Sequence, residues 1–380
     1  MHRVDNLWEQ MLSDENLDCS LSDVNGSHHW RTHHRPNYCT AWMEEHHAER
    51  RADLREVIEN GFVQKPPKVT QRYDPNAQKW RTVSEPVQWP DQYVHHALIR
   101  VLQPVMLRGM DKYCAGSIRG RGTHYGKAAI ERWMKNDPKG TKYCMTLDIR
   151  HFYQSLKPEV VMDRMRHLVK DARVLDLIWR VVKDGVIIGA YTSQWFANTT
   201  LQPLDHLIRE GGYGVAHYLR YMDNFTIFGP NKRKLRKLRV VIEKWLNDHG
   251  LQLKGDWQIF PTAVRKPDAV GYRYGRGYTI PRKHTLLRIK RAVARYRKRR
   301  NQNKRVLAGS AAGLISRLGI LRHCNNFRLY QRIYRGEKLL RQLKNIVRAK
   351  SRKEITTWSM YLARRAKLRS LKPRATPIPT

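Results

Sequence analysis

Asp148 closes the alternating run Tyr143, Met145 and Leu147, whose period of two is that of a strand, so its carboxylate falls at a strand end. Asp223 lies in Met222-Asp223-Asn224, where two apolar runs between Val215 and Phe228 reverse direction. Carboxylates from separate strands can clamp two divalent cations about 3.5–4 Å apart, which activates an attacking hydroxyl and steadies a leaving pyrophosphate. Taken singly, each Asp is ordinary, since such positions most often serve the turn itself. Asn224 offers a carbonyl oxygen without a charge. A catalytic role for the pair therefore depends on what surrounds it.

The surrounding elements read as follows. Val63 to Val87 is a hairpin turning at Asp74-Pro75-Asn76, its second strand near Lys79-Trp80-Arg81-Thr82-Val83. A helix is expected over Asp91 to Val105, a Gly- and Arg-rich loop over Ser117 to His124, and an amphipathic helix over Tyr125 to Met134. Ser193 to Arg209 reads as one helix capped at Thr192/Ser193. Cys39 to Ile58 can form an amphipathic helix, but residues 1–60 hold no motif with recognisable chemistry. Strand, helix and hairpin in this order predict an antiparallel sheet with helices on one face.

The chain has 380 residues, more than one ordinary domain, with 73 Lys and Arg against 33 Asp and Glu, a net charge of +40. A polyanionic partner follows, nucleic acid first among them. Residues 281–380 carry 30 Lys and Arg against only Glu337 and Glu354. Apolar residues recur there at helical spacing, as in Leu314, Ile315, Leu318 and Leu321, which predicts a folded basic domain rather than a solvated tail. Cys19, Cys39, Cys114, Cys144 and Cys324 are scattered and odd in number, against both a disulfide framework and a zinc site. With no long apolar stretch and an acidic N-terminus, a cytoplasmic protein without membrane contact is expected.

The constellation becomes specific when the motifs are read in order. Leu147-Asp148-Ile149-Arg150-His151-Phe152-Tyr153 resembles the first palm motif of reverse transcriptases. Ile188-Gly189-Ala190-Tyr191-Thr192-Ser193-Gln194 resembles the second, in the form used by diversity-generating retroelement enzymes. Tyr221-Met222-Asp223-Asn224 stands where the family has Tyr-x-Asp-Asp, with the second carboxylate absent. Lys79-Trp80-Arg81 and Gln92 to Pro104 resemble the fingers motifs, Gly250 to Lys254 and Trp257 to Pro261 the end of the palm, and Val270-Gly271-Tyr272-Arg273 the primer grip. Retron and phage-defence enzymes are similar, and group II intron maturases share the palm.

The resemblance implies an α+β right-hand polymerase: an N-terminal helical extension over 1–60, fingers over 61–140, palm over 141–280, and a basic helical thumb and tail over 281–380. It implies RNA-directed DNA synthesis with two Mg²⁺ ions, replaceable by Mn²⁺, held by Asp148, Asp223 and the Ile149 carbonyl. Asp148, Asp223 and Asn224 form the catalytic set. Lys79, Arg81, Tyr153, Ile188, Gly189, Ser193, Gln194 and Lys254 would bind the nucleotide. Tyr153 is the steric gate, Gly189 allows close backbone approach, Ile188 implies relaxed fidelity, and Lys254 is either a proton donor to pyrophosphate or a solvated lysine. Arg81 suits bidentate phosphate contact. Arg119, Arg121, Tyr221, Met222, Gly271, Tyr272, Arg282, Lys283, Arg288 and Lys290 would touch nucleic acid. His95 and His96 are expected to pack or to meet the template rather than bind metal.

The partners implied are deoxynucleotides, an RNA template from a co-encoded structured RNA, a DNA product strand and a small basic accessory protein. Gene diversification and phage defence both fit. Three readings of Asn224 stand: an active natural variant, a substitution made to trap a complex, and a silent homologue that serves as an RNA-binding scaffold.

Overall fold

The computed structural model describes residues 3–31, 45–74 and 79–349, and the chain divides between Ile280 and Pro281 into two compact units. In the first unit, β1 (Lys68–Asp74) pairs antiparallel with β2 (Lys79–Glu85), and the expected turn between them lies outside the described residues. The central sheet is four-stranded and antiparallel, in the order β4 (His217–Tyr221), β5 (Asn224–Gly229), β3 (Tyr143–Asp148), β6 (Gln258–Pro261). Because β3 is internal, Cys144 is buried along with Met145 and Leu147, and the simple alternation read from sequence is lost. A small sheet, β7 (Asp268–Ala269), β8 (Tyr272–Gly275) and β9 (Tyr278–Pro281), follows.

Helices Tyr93–Leu107 and Thr123–Asn136 form as expected, the former preceded by a π-turn over Gln88–Gln92. The single helix expected over Ser193 to Arg209 is instead two, Tyr191–Thr200 and Gln202–Glu210. Pro203 is the physical reason: lacking an N–H, it suits the first turn of a helix, where that hydrogen has no intrahelical partner anyway, so a new helix starts at Gln202. Helices Leu7–Leu12, Asp14–Arg31 and His47–Glu59 precede the hairpin, while residues 39–44 of the expected helix lie outside the described set. Val4 N–H donates to the Leu168 carbonyl, and the Asn16 amide to the Ala97 carbonyl, so this segment is packed into the first unit.

In the second unit, helices Lys283–Asn301, Ala308–Arg322 and 336–349 surround Ile289, Val293, Tyr296, Leu314, Leu318, Leu321 and Leu343. The helical spacing of Leu314, Leu318 and Leu321 thus marks a core, and the basic segment is folded as far as residue 349. No helix among the described residues is long and apolar enough to cross a membrane. Cys19, Cys114, Cys144 and Cys324 are free thiols.

Candidate active site

The central sheet brings the two aspartates together by register. Asp148, last residue of β3, stands opposite Asn224, first residue of β5, so Asp223 in the adjoining turn is its neighbour. The Ile149 N–H donates to the Asp223 carbonyl at 3.3 Å, tying turn to strand. The turn itself is tight: Met222 has φ 56°, the left-handed region. Asp223 sits above the usual carboxylate range, through burial first and then through the Asp148 charge. Its own backbone N–H, the Asn224 amide at 3.0 Å and the Arg81 charge work in the opposite direction. Asn224 therefore presents its amide to Asp223 as a donor, where an aspartate would repel.

The Asp148 charge raises the proton affinity of Asp223, and such a carboxylate pair is a donor set suited to a divalent cation, which would relieve the repulsion. Their number is limited, for no group of three or more His, Cys, Asp or Glu positioned for a metal exists among the described residues. Lys254 closes the site from β6's side of the chain. Its N–H donates to the Asp148 carbonyl at 2.8 Å, and its ammonium lies 3.4 Å from the Asp148 carboxylate and 2.8 Å from that of Asp256. Asp256 first, then Asp148, keeps it protonated. Tyr153 lies at the same place: burial, then the nearby Asp223 and Tyr221, push its phenol far above the usual value. Phe152 beside it is buried.

The hairpin β1–β2 brings the Arg81 charge within reach of Asp223 and packs against the backbone at Ile188 and Gly189. The Ser84 N–H donates to the Ile188 carbonyl at 2.9 Å. Gly189 has φ +116°, and a Cβ there would lie 2.6 Å from the Ser84 carbonyl oxygen. What lies close against the Gly189 backbone in the structure is β2, a different neighbour from the templating base or nucleotide expected there. Gly189→Ala should lower the unfolding free energy by about 1–3 kcal/mol, measured by chemical denaturation. It should also loosen β2, detected as faster amide exchange at Val83 and Ser84.

Other expected contacts fall elsewhere. Ser193 is buried in helix Tyr191–Thr200, and Tyr272 is buried in β8 near Lys127, so neither ring nor hydroxyl is presented to a ligand. The apolar faces of these elements claimed both residues. Arg121 donates to the Asp111 carbonyl at 2.9 Å and serves its own loop, whereas Arg119 is exposed. Gln194, Lys283 and Lys290 are also exposed, and Gly271 makes the left-handed turn into β8. The Lys79 side chain lies outside the described set. His95 is buried and held neutral, its pKa lowered to about 3 by burial, and His96 stacks on Tyr191. Arg317 in the second unit is lowered by burial and then by Arg288 and Arg295, a crowding of cations that an anionic strand would relieve.

A buried network under the turn escaped the sequence reading. Arg220 and Asp205, both fully buried, form a two-pronged pair, with Nε to Oδ1 at 2.7 Å and Nη2 to Oδ2 at 2.6 Å. Arg220 also donates to Asn198 Oδ1 at 2.9 Å and to the Met222 carbonyl at 3.2 Å. Tyr218 donates to Asp205, and Asn198 to the Gly116 carbonyl. A Cβ on Gly116 would lie 2.6 Å from the Met222 sulfur. The only sequence signal was a lone charge within an apolar strand.

Residues 63–256 match the family profile described as reverse transcriptase (RNA-dependent DNA polymerase). Among solved structures, the chain is similar to telomerase from Candida albicans in complex with the TWJ fragment of telomeric RNA. That match has 13% identity and a TM-score of 0.43, covering 76% of this chain and 59% of that one. It is also similar to apo telomerase from Candida tropicalis truncated from the C-terminal domain, with 12% identity, a TM-score of 0.41, and 58% and 55% covered. The chain thus spans little more than half the length of these structures. No curated protein sequence matches it.

Proposed function

Starting from the fact that this chain belongs to the reverse transcriptase (RNA-dependent DNA polymerase) family, we propose that it extends a primer 3′ end with deoxynucleotides on an RNA template, using Asp148 and Asp223. Family membership supports a nucleotidyltransferase, an RNA-directed DNA polymerase. The observation that carries the residue assignment is the register placing Asp148 beside the Met222-Asp223 turn. Divalent cations held there, Mg²⁺ foremost, would make the primer hydroxyl a better nucleophile and neutralise the leaving pyrophosphate.

The chain's own residues supply position and charge. Asp148 and Asp223, with the Ile149 carbonyl, form the anionic floor. Arg81 lies close enough for its charge to reach Asp223, which suits it to steady a triphosphate. Lys254, kept protonated by Asp256 and Asp148, can give its proton to the departing pyrophosphate. Tyr153, close to Asp223, leaves no room for a 2′-hydroxyl. In the second unit, Arg282, Lys283, Arg288 and Lys290 would follow the template–primer backbone, so binding should weaken steeply with salt.

The Ile188-Gly189 and Ser193-Gln194 form of the second palm motif supports a diversity-generating or phage-defence role, with a co-encoded structured RNA as template source and a small basic accessory protein as partner. A second reading rests on Asn224: a polymerase fold kept as an RNA-binding scaffold. Primer extension on an RNA template with Mg²⁺ and labelled deoxynucleotides separates the two. We expect extension, and Tyr153→Val should raise ribonucleotide use relative to deoxynucleotide use by about tenfold or more. RNA binding without any extension, from this chain and from Asn224→Asp alike, would establish the scaffold.

A further inference from the structure

Away from the carboxylates, the second unit holds a pocket of about 210 Å³ between helix Lys283–Asn301 and helix 336–349. Arg297, Arg300, Arg335 and Lys338 line it, with no carboxylate among the described residues of its walls. Tyr334, also in its lining, is 5% exposed, and its hydroxyl has no hydrogen-bond partner among the described residues. A buried hydroxyl left unmatched is uncommon and marks a place for a missing partner. The hydroxyl's surroundings are cationic, since the Arg297 charge reaches it.

The backbone adds to the same field. Arg335 takes a left-handed conformation, φ 49°, immediately before helix 336–349, so Arg335, Lys338 and Leu339 bring the first turn of that helix to the pocket wall. A helix N-terminus carries unpaired N–H groups and partial positive charge, which favour an anion. On the opposite wall the Tyr296 hydroxyl donates to Gln342 at 3.2 Å, fixing that side. Four cations, a helix start and a tyrosine whose hydroxyl is unmatched line a space below the ~300 Å³ of ordinary small-molecule pockets. An apolar ligand would meet the wrong lining, and a whole nucleotide would not fit inside.

We propose that this pocket is a phosphate-binding site, taking one phosphate- or pyrophosphate-sized oxyanion, with the Tyr334 hydroxyl as a hydrogen-bond donor and Arg300, Arg335 and Lys338 as its counter-charges. The same chemistry is offered by a free oxyanion and by a phosphate of an RNA strand. The site is built from residues of the second unit alone and does not depend on polymerase activity.

The test uses the full chain without metal and inorganic pyrophosphate as the probe, titrated by calorimetry. One saturable site is expected, weakened about tenfold by Tyr334→Phe, because a hydrogen bond to a charged group is lost without any change of net charge. Arg300→Gln should weaken it at least as much, and Arg233→Gln, an exposed cation in the first unit, should leave it unchanged. RNA hairpins ending in 5′-phosphate or 5′-hydroxyl distinguish the sources. A Tyr334→Phe loss for both hairpins identifies a backbone phosphate, a loss only for the first a terminal phosphate, and a loss for pyrophosphate alone a free oxyanion. No saturable binding, or Tyr334→Phe binding like the parent, overturns the proposal. Should Arg300→Gln fail to fold, the near-isosteric Tyr334→Phe decides alone.

Discussion

Asp148→Ala and Asp223→Ala should each reduce primer extension by roughly three orders of magnitude, the scale of several kcal/mol of lost transition-state stabilisation. Stability should move in the opposite direction from activity. Asp223 is held above the usual carboxylate range by burial and by Asp148, so the folded protein binds its proton more tightly than the unfolded chain does. For an acid shifted upward, the stabilising contribution is present at low pH and is lost as pH rises from the unfolded value of 3.8 through the folded one. Asp223→Asn should therefore gain stability relative to the parent as pH rises through that window, in metal-free buffer. Calorimetric unfolding at several pH values checks this, and a parallel pH dependence in both proteins would refute the coupling.

Asn224→Asp extends the same logic. A third carboxylate in place of an amide donor removes a bond that now steadies Asp223 and adds a like charge. Without metal the variant should be less stable at neutral pH, and more stable than the parent once a divalent cation is supplied, because each bound ion then neutralises more charge. Extension should rise with it, by about tenfold for each 1.4 kcal/mol of added stabilisation. Chelator titrations with activity and unfolding followed together would show whether the two gains move as one.

Arg220→Met and Asp205→Ala should each destabilise the protein by about 3–5 kcal/mol, because each leaves a fully buried partner charge or carboxylate without its mate. Burial works against the Arg220 charge, but the Asp205 carboxylate outweighs it and holds the guanidinium protonated. Replacing both together with apolar residues of similar volume should recover much of the stability, since an unmatched charge costs more than an absent pair. Activity should not recover with it. Arg220 also donates to the Met222 carbonyl, so the double replacement frees the turn that carries Asp223. Unfolding midpoints and primer extension measured on the two single variants and the double variant give the cycle. A stable double variant with parental extension would show that the turn needs no such support.

The strand ending at Asp148, the hairpin of β1 and β2, the helices at Tyr93–Leu107 and Thr123–Asn136, and the basic helical segment were legible in the sequence. Each is set by a local pattern: alternation for strands, threefold-to-fourfold spacing for helices, and charge against apolar period for the basic unit. The positions of Asp148 and Asp223 were legible for the same reason, each lying at the end of such a pattern. Pro203 was legible in principle, and the break before it was missed because the apolar spacing runs on through it.

What tertiary structure decided is what depends on residues distant in sequence. Pairing of β3 with β5 placed Asp148 opposite Asn224, and no local pattern fixes that register. Burial of Ser193 and Tyr272 removed two expected ligand contacts, because a side chain's face is settled by what packs on it. The glycine at 189 is required by the Ser84 carbonyl, about a hundred residues away. Arg220 and Asp205 form a buried pair that no local pattern announced, since only the folded chain provides each with a partner that repays the loss of water. The chemistry was thus written locally, while its alignment came from long-range packing.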